Sequence, residues 1–132
     1  MDITITDWAL QSYLELKHEK VFTKQEYKQK LRPDIELLKE YPKHPMFSES
    51  KFWGPAKENE HVVIKHGWKM KWHNIGNGKI QLRLLVAILE ENSFLCEAYV
   101  KTTTSQDFRK MARLKIKISK IAENNYCSRG FL

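Results

Sequence analysis

Residues 67–86, GWKMKWHNIGNGKIQLRLLV, alternate between apolar and polar positions on both sides of Gly76-Asn77-Gly78. An Asn-Gly pair supplies the positive φ that a tight turn between strands requires, so the segment predicts a β-hairpin over 68–74 and 79–89. Successive side chains of a strand point to opposite faces. Trp68, Met70 and Trp72 therefore share one face, and Lys69, Lys71 and His73 share the other. On the return, Arg83 stands alone among Ile80, Leu82, Leu84, Val86 and Ile88. Pairing through the turn places it opposite the Lys69–Lys71 region, in a register that a slip of one residue would destroy.

Residues 94–101, FLCEAYVK, predict a third antiparallel strand after a turn at 90–93. Its alternation puts Phe94, Cys96, Ala98 and Val100 on one side, and Leu95, Glu97, Tyr99 and Lys101 on the other. Upstream, residues 2–6 are β-branched and alternating, and predict a short strand. Residues 7–19 carry Trp8, Leu10, Tyr13, Leu14 and Leu16 at helical spacing, with Thr6 or Asp7 as N-cap. Thr23-Lys-Gln-Glu26 is a capping box and starts the next helix. Pro33 either kinks that helix or opens a second one. Pro42 and Pro45 end the helical part, and residues 42–60 predict an irregular connector pinned by Phe47, Phe52 and Trp53. Phe108, Met111, Leu114, Ile118 and Ile121 form the buried stripe of a last helix, capped by Thr103, Thr104 or Ser105. Arg109, Lys110, Arg113, Lys117 and Lys120 cover much of its remaining surface. Residues 123–132 carry no clear pattern.

The order is strand, two or three helices, antiparallel meander, helix. It predicts one α+β domain over residues 1–132, a small antiparallel sheet with N-terminal helices on one face and a C-terminal helix. The opposite sheet face is expected to be free for function.

Charge gives that free face a meaning. The 132 residues hold 23 Lys and Arg against 16 Asp and Glu, a formal net charge of +7. Such a balance favours an acidic partner, whether nucleic acid, an acidic protein segment or an anionic surface. No apolar run approaches the length of a membrane span, and the N-terminus lacks the pattern of a secretory signal. Cys96 and Cys127 form no CxxC pair and no zinc-type cluster with the five scattered histidines, so two free thiols, no metal and a cytoplasmic location are expected. No cofactor motif is present: Gly76 and Gly78 are hairpin glycines, and no Gly-rich phosphate loop occurs.

A cluster of Lys69, Lys71 and Arg83 suits metal-independent cleavage of RNA. The 2′-hydroxyl attacks the adjacent phosphorus, and cations stabilise the charge that builds on the phosphoryl oxygens. A neutral His or a Lys of lowered pKa takes the proton. His73 or Tyr99 would protonate the leaving oxygen. Lys101, Arg109 and Arg113 would position the RNA backbone. The bland reading of the same residues is a solvated strand face and a solvated helix face.

The segment order resembles the RelE/ParE toxin superfamily of type II toxin–antitoxin systems: GWKMKW enters the hairpin, QLRLLVAIL returns, and AYVK precedes a basic helix. The stretch KLRPDIELLKEYPKHPMFSESKFWGPA followed by GWKMKWHNIGNGKIQLRL is similar to the ParE-like branch. The resemblance covers most of residues 1–120. It implies a toxin acting as a ribosome-dependent mRNA endonuclease that blocks translation, with Lys69 and Lys71 matching two family lysines, Arg83 an arginine and Lys101 a basic residue. The family tyrosine at the start of the last helix falls near Phe108, which has no proton to exchange. His73, Tyr99 or Tyr126 would have to substitute. ParE members inhibit DNA gyrase without that constellation, which leaves gyrase as an alternative target and a plain nucleic-acid-binding module as a third. The resemblance also implies a cognate antitoxin that wraps around the toxin, and an acidic, partly disordered partner suits the charge.

Overall fold

A computed structural model describes residues 1–132. The chain opens with β1 (Ile3–Thr6) and α1 (Asp7–His18). Thr6 is the N-cap: its hydroxyl accepts from the Ala9 amide and donates to the Leu95 carbonyl, tying the helix start to the sheet. The capping box at Thr23 and Glu26 forms as expected and starts α2 (Lys24–Glu26). Pro33 falls in the first turn of a further helical segment, one of the two expected outcomes, and the backbone before it stays helical. Its ring crowds the Gln29 carbonyl, and it has no amide to give. The chain answers by widening: a π turn spans Tyr27–Leu31, the Arg32 amide reaches the Tyr27 carbonyl, and α3 (Arg32–Glu36) follows directly.

The sheet has six strands, in the order β2-β3-β4-β5-β1-β6. These are β2 (Trp53–Asn59), β3 (Val62–Ile75), β4 (Ile80–Leu89), β5 (Asn92–Val100) and β6 (Ser128–Phe131). Only β1 and β5 run parallel. The expected connector over 42–60 thus contains a strand. Its Gly54-Pro55 hides the pattern, and Pro55 is tolerated because β2 is an edge strand. The second unforeseen strand, β6, pairs with β1 at the other edge. The turn at 90–93 shrinks to Glu90-Glu91, both at positive φ.

Register in β3 and β4 follows the alternation: Lys71 lies opposite Arg83, and Trp72 opposite Leu82. In β5 the expected facing breaks. Glu97 pairs with Leu85 but Leu95 pairs with Val86, so Cys96 is the extra residue of a bulge. Phe94 and Cys96 consequently share a core with Tyr99, while Leu95 and Ala98 pack on the opposite side.

The last helix, α4 (Thr104–Ala122), is capped by Thr103 and carries the other correction. The sheet is covered on both faces. α1, the π turn and α3, through Ala9, Leu16, Leu31 and Ile35, pack with Phe22 on Met70, Trp72, Leu82 and Leu84. α4 packs on Ala56, Leu85, Ala87 and Phe94 through Met111, Leu114, Ile118 and Ile121. The face expected to be free is therefore open only beyond the N-terminal end of α4. No helix is long and apolar enough to cross a membrane.

Candidate functional site

The uncovered corner of the α4 face is formed by β3, β4 and the end of β5. Lys69 and Lys71 lie two apart on β3, Arg83 faces Lys71 across the ladder, and Tyr99 faces Arg83 from β5. Lys101 follows at the strand end and is exposed. The sheet register alone brings these groups together, because each occupies the same face of its strand.

Their electrostatics show how close they stand. Burial is the main cause that lowers the Lys69 amine below its ordinary pKa, with Lys101 and Arg83 adding to it and Asp107 opposing. Lys71 is lowered by burial, then by Lys69, Arg83 and Lys101. Arg83 is 4% exposed. Its guanidinium donates to the Leu82 carbonyl at 3.3 Å and to Gln81 Oε1 at 3.0 Å, and it forms no ion pair. Burial depresses its pKa as well. Without a salt bridge, the desolvation cost of this interior cation is offset only in part, by Asp107 nearby. The Lys71 amine lies beside Gly54 of the edge strand, where an added Cβ would meet it at an ordinary contact distance of 3.5 Å.

Asp107 is the one acid in this group, and the sequence reading passed over it. It sits in the first turn of α4 and is 7% exposed. Its Oδ1 accepts a short hydrogen bond from the Tyr99 hydroxyl, and its Oδ2 lies 3.6 Å from Lys69 Nζ. The signal that could have found it was its place in the first helical turn after a strand ending in Tyr99 and Lys101. Tyr99 differs from expectation. It is 4% exposed, its proton is committed to Asp107, and burial with that bond pushes its pKa far up. It is not placed to protonate a leaving group.

The other expected site residues divide. His73 is exposed, and its Nε2 pairs with the Lys51 carbonyl at 2.8 Å rather than with a side chain of the cluster. Arg109 is exposed and forms no ion pair, at the same end of α4 as Asp107. Arg113 reaches instead toward Glu97, at 3.9 Å.

Glu97 anchors a second charged group. It is 6% exposed and accepts from Lys110 at 2.6 Å and from Lys117 at 2.8 Å. Lys117, expected on the solvated face of α4, is buried by this bond and lies over the Trp8 ring at 5.8 Å. Burial would raise the Glu97 pKa, but the two lysines outweigh it and hold the carboxyl below its ordinary range. This group fastens α4 to β5 and has no free valence for a ligand.

Both cysteines are free thiols. Cys96 is buried, which pushes its pKa up to about 12, and Cys127 is exposed. The site thus offers two half-buried amines of lowered pKa, a buried guanidinium, an exposed lysine and one carboxylate engaged by its neighbours. No family model, no curated protein and no solved structure matches this chain.

Proposed function

We propose that the protein is the toxin of a type II toxin–antitoxin pair, an mRNA endonuclease that cleaves on the ribosome by 2′-hydroxyl attack without a metal. The observation that carries this reading is Arg83: a guanidinium buried beneath two depressed lysines, with no acid paired to it. Asp107 offsets the burial of this group only in part, and a phosphate arriving above it would supply further negative charge. The resemblance to the RelE/ParE superfamily, and a strand–helices–meander–helix order of the kind it implies, support the reading.

The chemistry assigns each group a step. Lys69, in its neutral form, takes the 2′-proton, and O2′ forms a bond to phosphorus. Lys71 and Arg83 stabilise the charge on the phosphoryl oxygens. The P–O5′ bond breaks, and the Lys71 ammonium protonates O5′. The products are a 2′,3′-cyclic phosphate and a 5′-hydroxyl, and water returns the proton from Lys69 to Lys71. Lys101 and Arg109 hold the backbone on either side. Proton transfer thereby passes from His73 and Tyr99 to the two lysines. The neutralising partner is an acidic antitoxin.

One observation favours the gyrase-directed alternative. With Phe108 in the family tyrosine's position, the Tyr99 proton committed to Asp107 and Tyr126 packed edge-on against Phe94 under α4, no phenol is available as an acid. The test uses a defined mRNA in a translating extract, with the RNA ends mapped and DNA supercoiling followed in parallel. Cleavage with cyclic or 3′-phosphate ends is expected. Arg83→Met should lower it more than about 100-fold while leaving the urea midpoint unchanged or raised, since an apolar side chain of similar length removes a buried charge. His73→Ala should stay within a few-fold of the parent. Intact mRNA with altered supercoiling would move the protein to the gyrase reading.

A further inference from the structure

A carboxylate weakens a site built to attract phosphate, so Asp107 needs a reason to stand among Lys69, Lys71, Arg83 and Lys101. Its two oxygens are used differently. Oδ1 is held by the hydroxyl of Tyr99, itself fixed in the α4 core, and Oδ2 is left for Lys69 Nζ. Tyr99, Asp107 and Lys69 form a chain from the core to the open corner, hydroxyl to carboxylate to amine. We propose that Asp107 is a positioning residue: anchored by Tyr99 through one oxygen, it uses the other to aim the Lys69 amine at the 2′-hydroxyl. The proposal rests on the RNA-cleaving reading for its consequence, though not for the coupling itself.

The groups facing Lys69 are Asp107 from α4, Arg83 from β4, Tyr99 and Lys101 from the β5 end, and Lys71 on its own strand. The residue opposite it on β2 is Gly54, which brings no charge. Burial, Lys101 and Arg83 favour the neutral amine, and Asp107 alone favours the charged one. Removing the negative charge therefore moves the Lys69 titration to lower pH. A base works in its neutral form, so the rate rises with pH until the amine has lost its proton. In Asp107→Asn that rising limb should shift to lower pH, while the plateau falls on the order of 10–100-fold because the amine is no longer aimed. Asp107→Glu restores the charge with one methylene too many. It should return the limb and leave the plateau low.

The first measurement needs no activity. Lysines are methylated reductively with ¹³C-formaldehyde, and the Lys69 signal, identified by its loss in Lys69→Arg, is titrated by NMR. In Asp107→Asn its midpoint should fall by about one pH unit, the scale expected for loss of a close opposite charge; in Asp107→Glu it should return. Asn keeps an oxygen for the Tyr99 hydroxyl, so the variant is expected to fold, and its thermal midpoint checks that. An unmoved Lys69 midpoint in folded Asp107→Asn overturns the proposal whether or not RNA is cleaved. A plateau loss at every pH with no shift of the limb also overturns it, since that is what a merely structural acid would give. If the parent protein cleaves no RNA at any pH, the site reading fails, and the amine titration still decides whether Asp107 governs Lys69.

Discussion

Glu97 and Asp107 show how differently two buried acids can serve one helix. Asp107 keeps one oxygen for an amine at the open corner, whereas Glu97 is consumed by Lys110 and Lys117. Removing one partner of a buried charge cluster is costly, because the remaining charges stay desolvated. Glu97→Gln should therefore destabilise the protein by about 3 kcal/mol. The sign with pH follows from a carboxyl held below its ordinary value of 4.5. Its contribution is complete above that value and is lost as pH falls through the lower folded-state pKa. Thermal midpoints between pH 2 and 7 should show an acid limb in the parent protein that is shallower in Glu97→Gln; equal slopes would mean other carboxylates govern acid unfolding. At this scale the sequence was legible where a residue violated its local pattern. Arg83 in an apolar strand and Lys69 and Lys71 on one face are such violations. Asp107 and Glu97 were not, since an acid in a charged helix or an alternating strand looks solvated until its partners are known.

Between elements, what decided success was whether a pattern was local. The hairpin 68–89 could be read because turn chemistry and alternation agree over adjacent residues, and the capping box because its partners lie three apart. β2 and β6 were hidden because an edge strand needs only a partner: Gly54-Pro55 and Ser128-Arg129-Gly130 carry no alternation of their own. The β5 bulge was hidden for the opposite reason. The alternation of 94–101 is regular, and the shift at Cys96 is set by which residues fit beneath α4 and α1. The β4–β5 turn is a weak point of the same kind. Glu90 and Glu91 both adopt positive φ, at 49° and 64°, where β-carbons are crowded, and they place two like charges side by side. Replacing the pair by Asn-Gly should stabilise the protein by about 1 kcal/mol. The urea midpoint should rise at constant slope; a lower midpoint would show that the two glutamates hold the turn by contacts outside it.

On the scale of the whole molecule, the net charge of +7 is distributed unevenly, and the distribution carries more meaning than the sum. Ion pairs to Glu97, Asp107 and Glu58 absorb much of the charge of α4 and of Lys69. Lys71, Arg83 and Lys101 form no ion pair, and they stand at the corner that α4 leaves open. A polyanion bound there meets about three free cations, whereas one bound diffusely meets the average surface. The two cases differ in their salt dependence. Each phosphate neutralised on single-stranded RNA contributes about −0.7 to the slope of log K against log salt. Three contacts give a slope of about −2, or roughly a twentyfold loss of affinity between 50 and 200 mM salt. Binding of a 2′-methoxy oligonucleotide, which cannot be cleaved by 2′-attack, would measure this by fluorescence anisotropy. Lys71→Ala should reduce the slope by about one contact's worth, to about −1.4. Lys115→Ala removes the same formal charge from a lysine already paired with Glu58 on the edge strand, and should leave the slope unchanged. If the two variants lower the slope equally, binding follows net charge alone, and the open corner of the sheet holds no phosphate of its own.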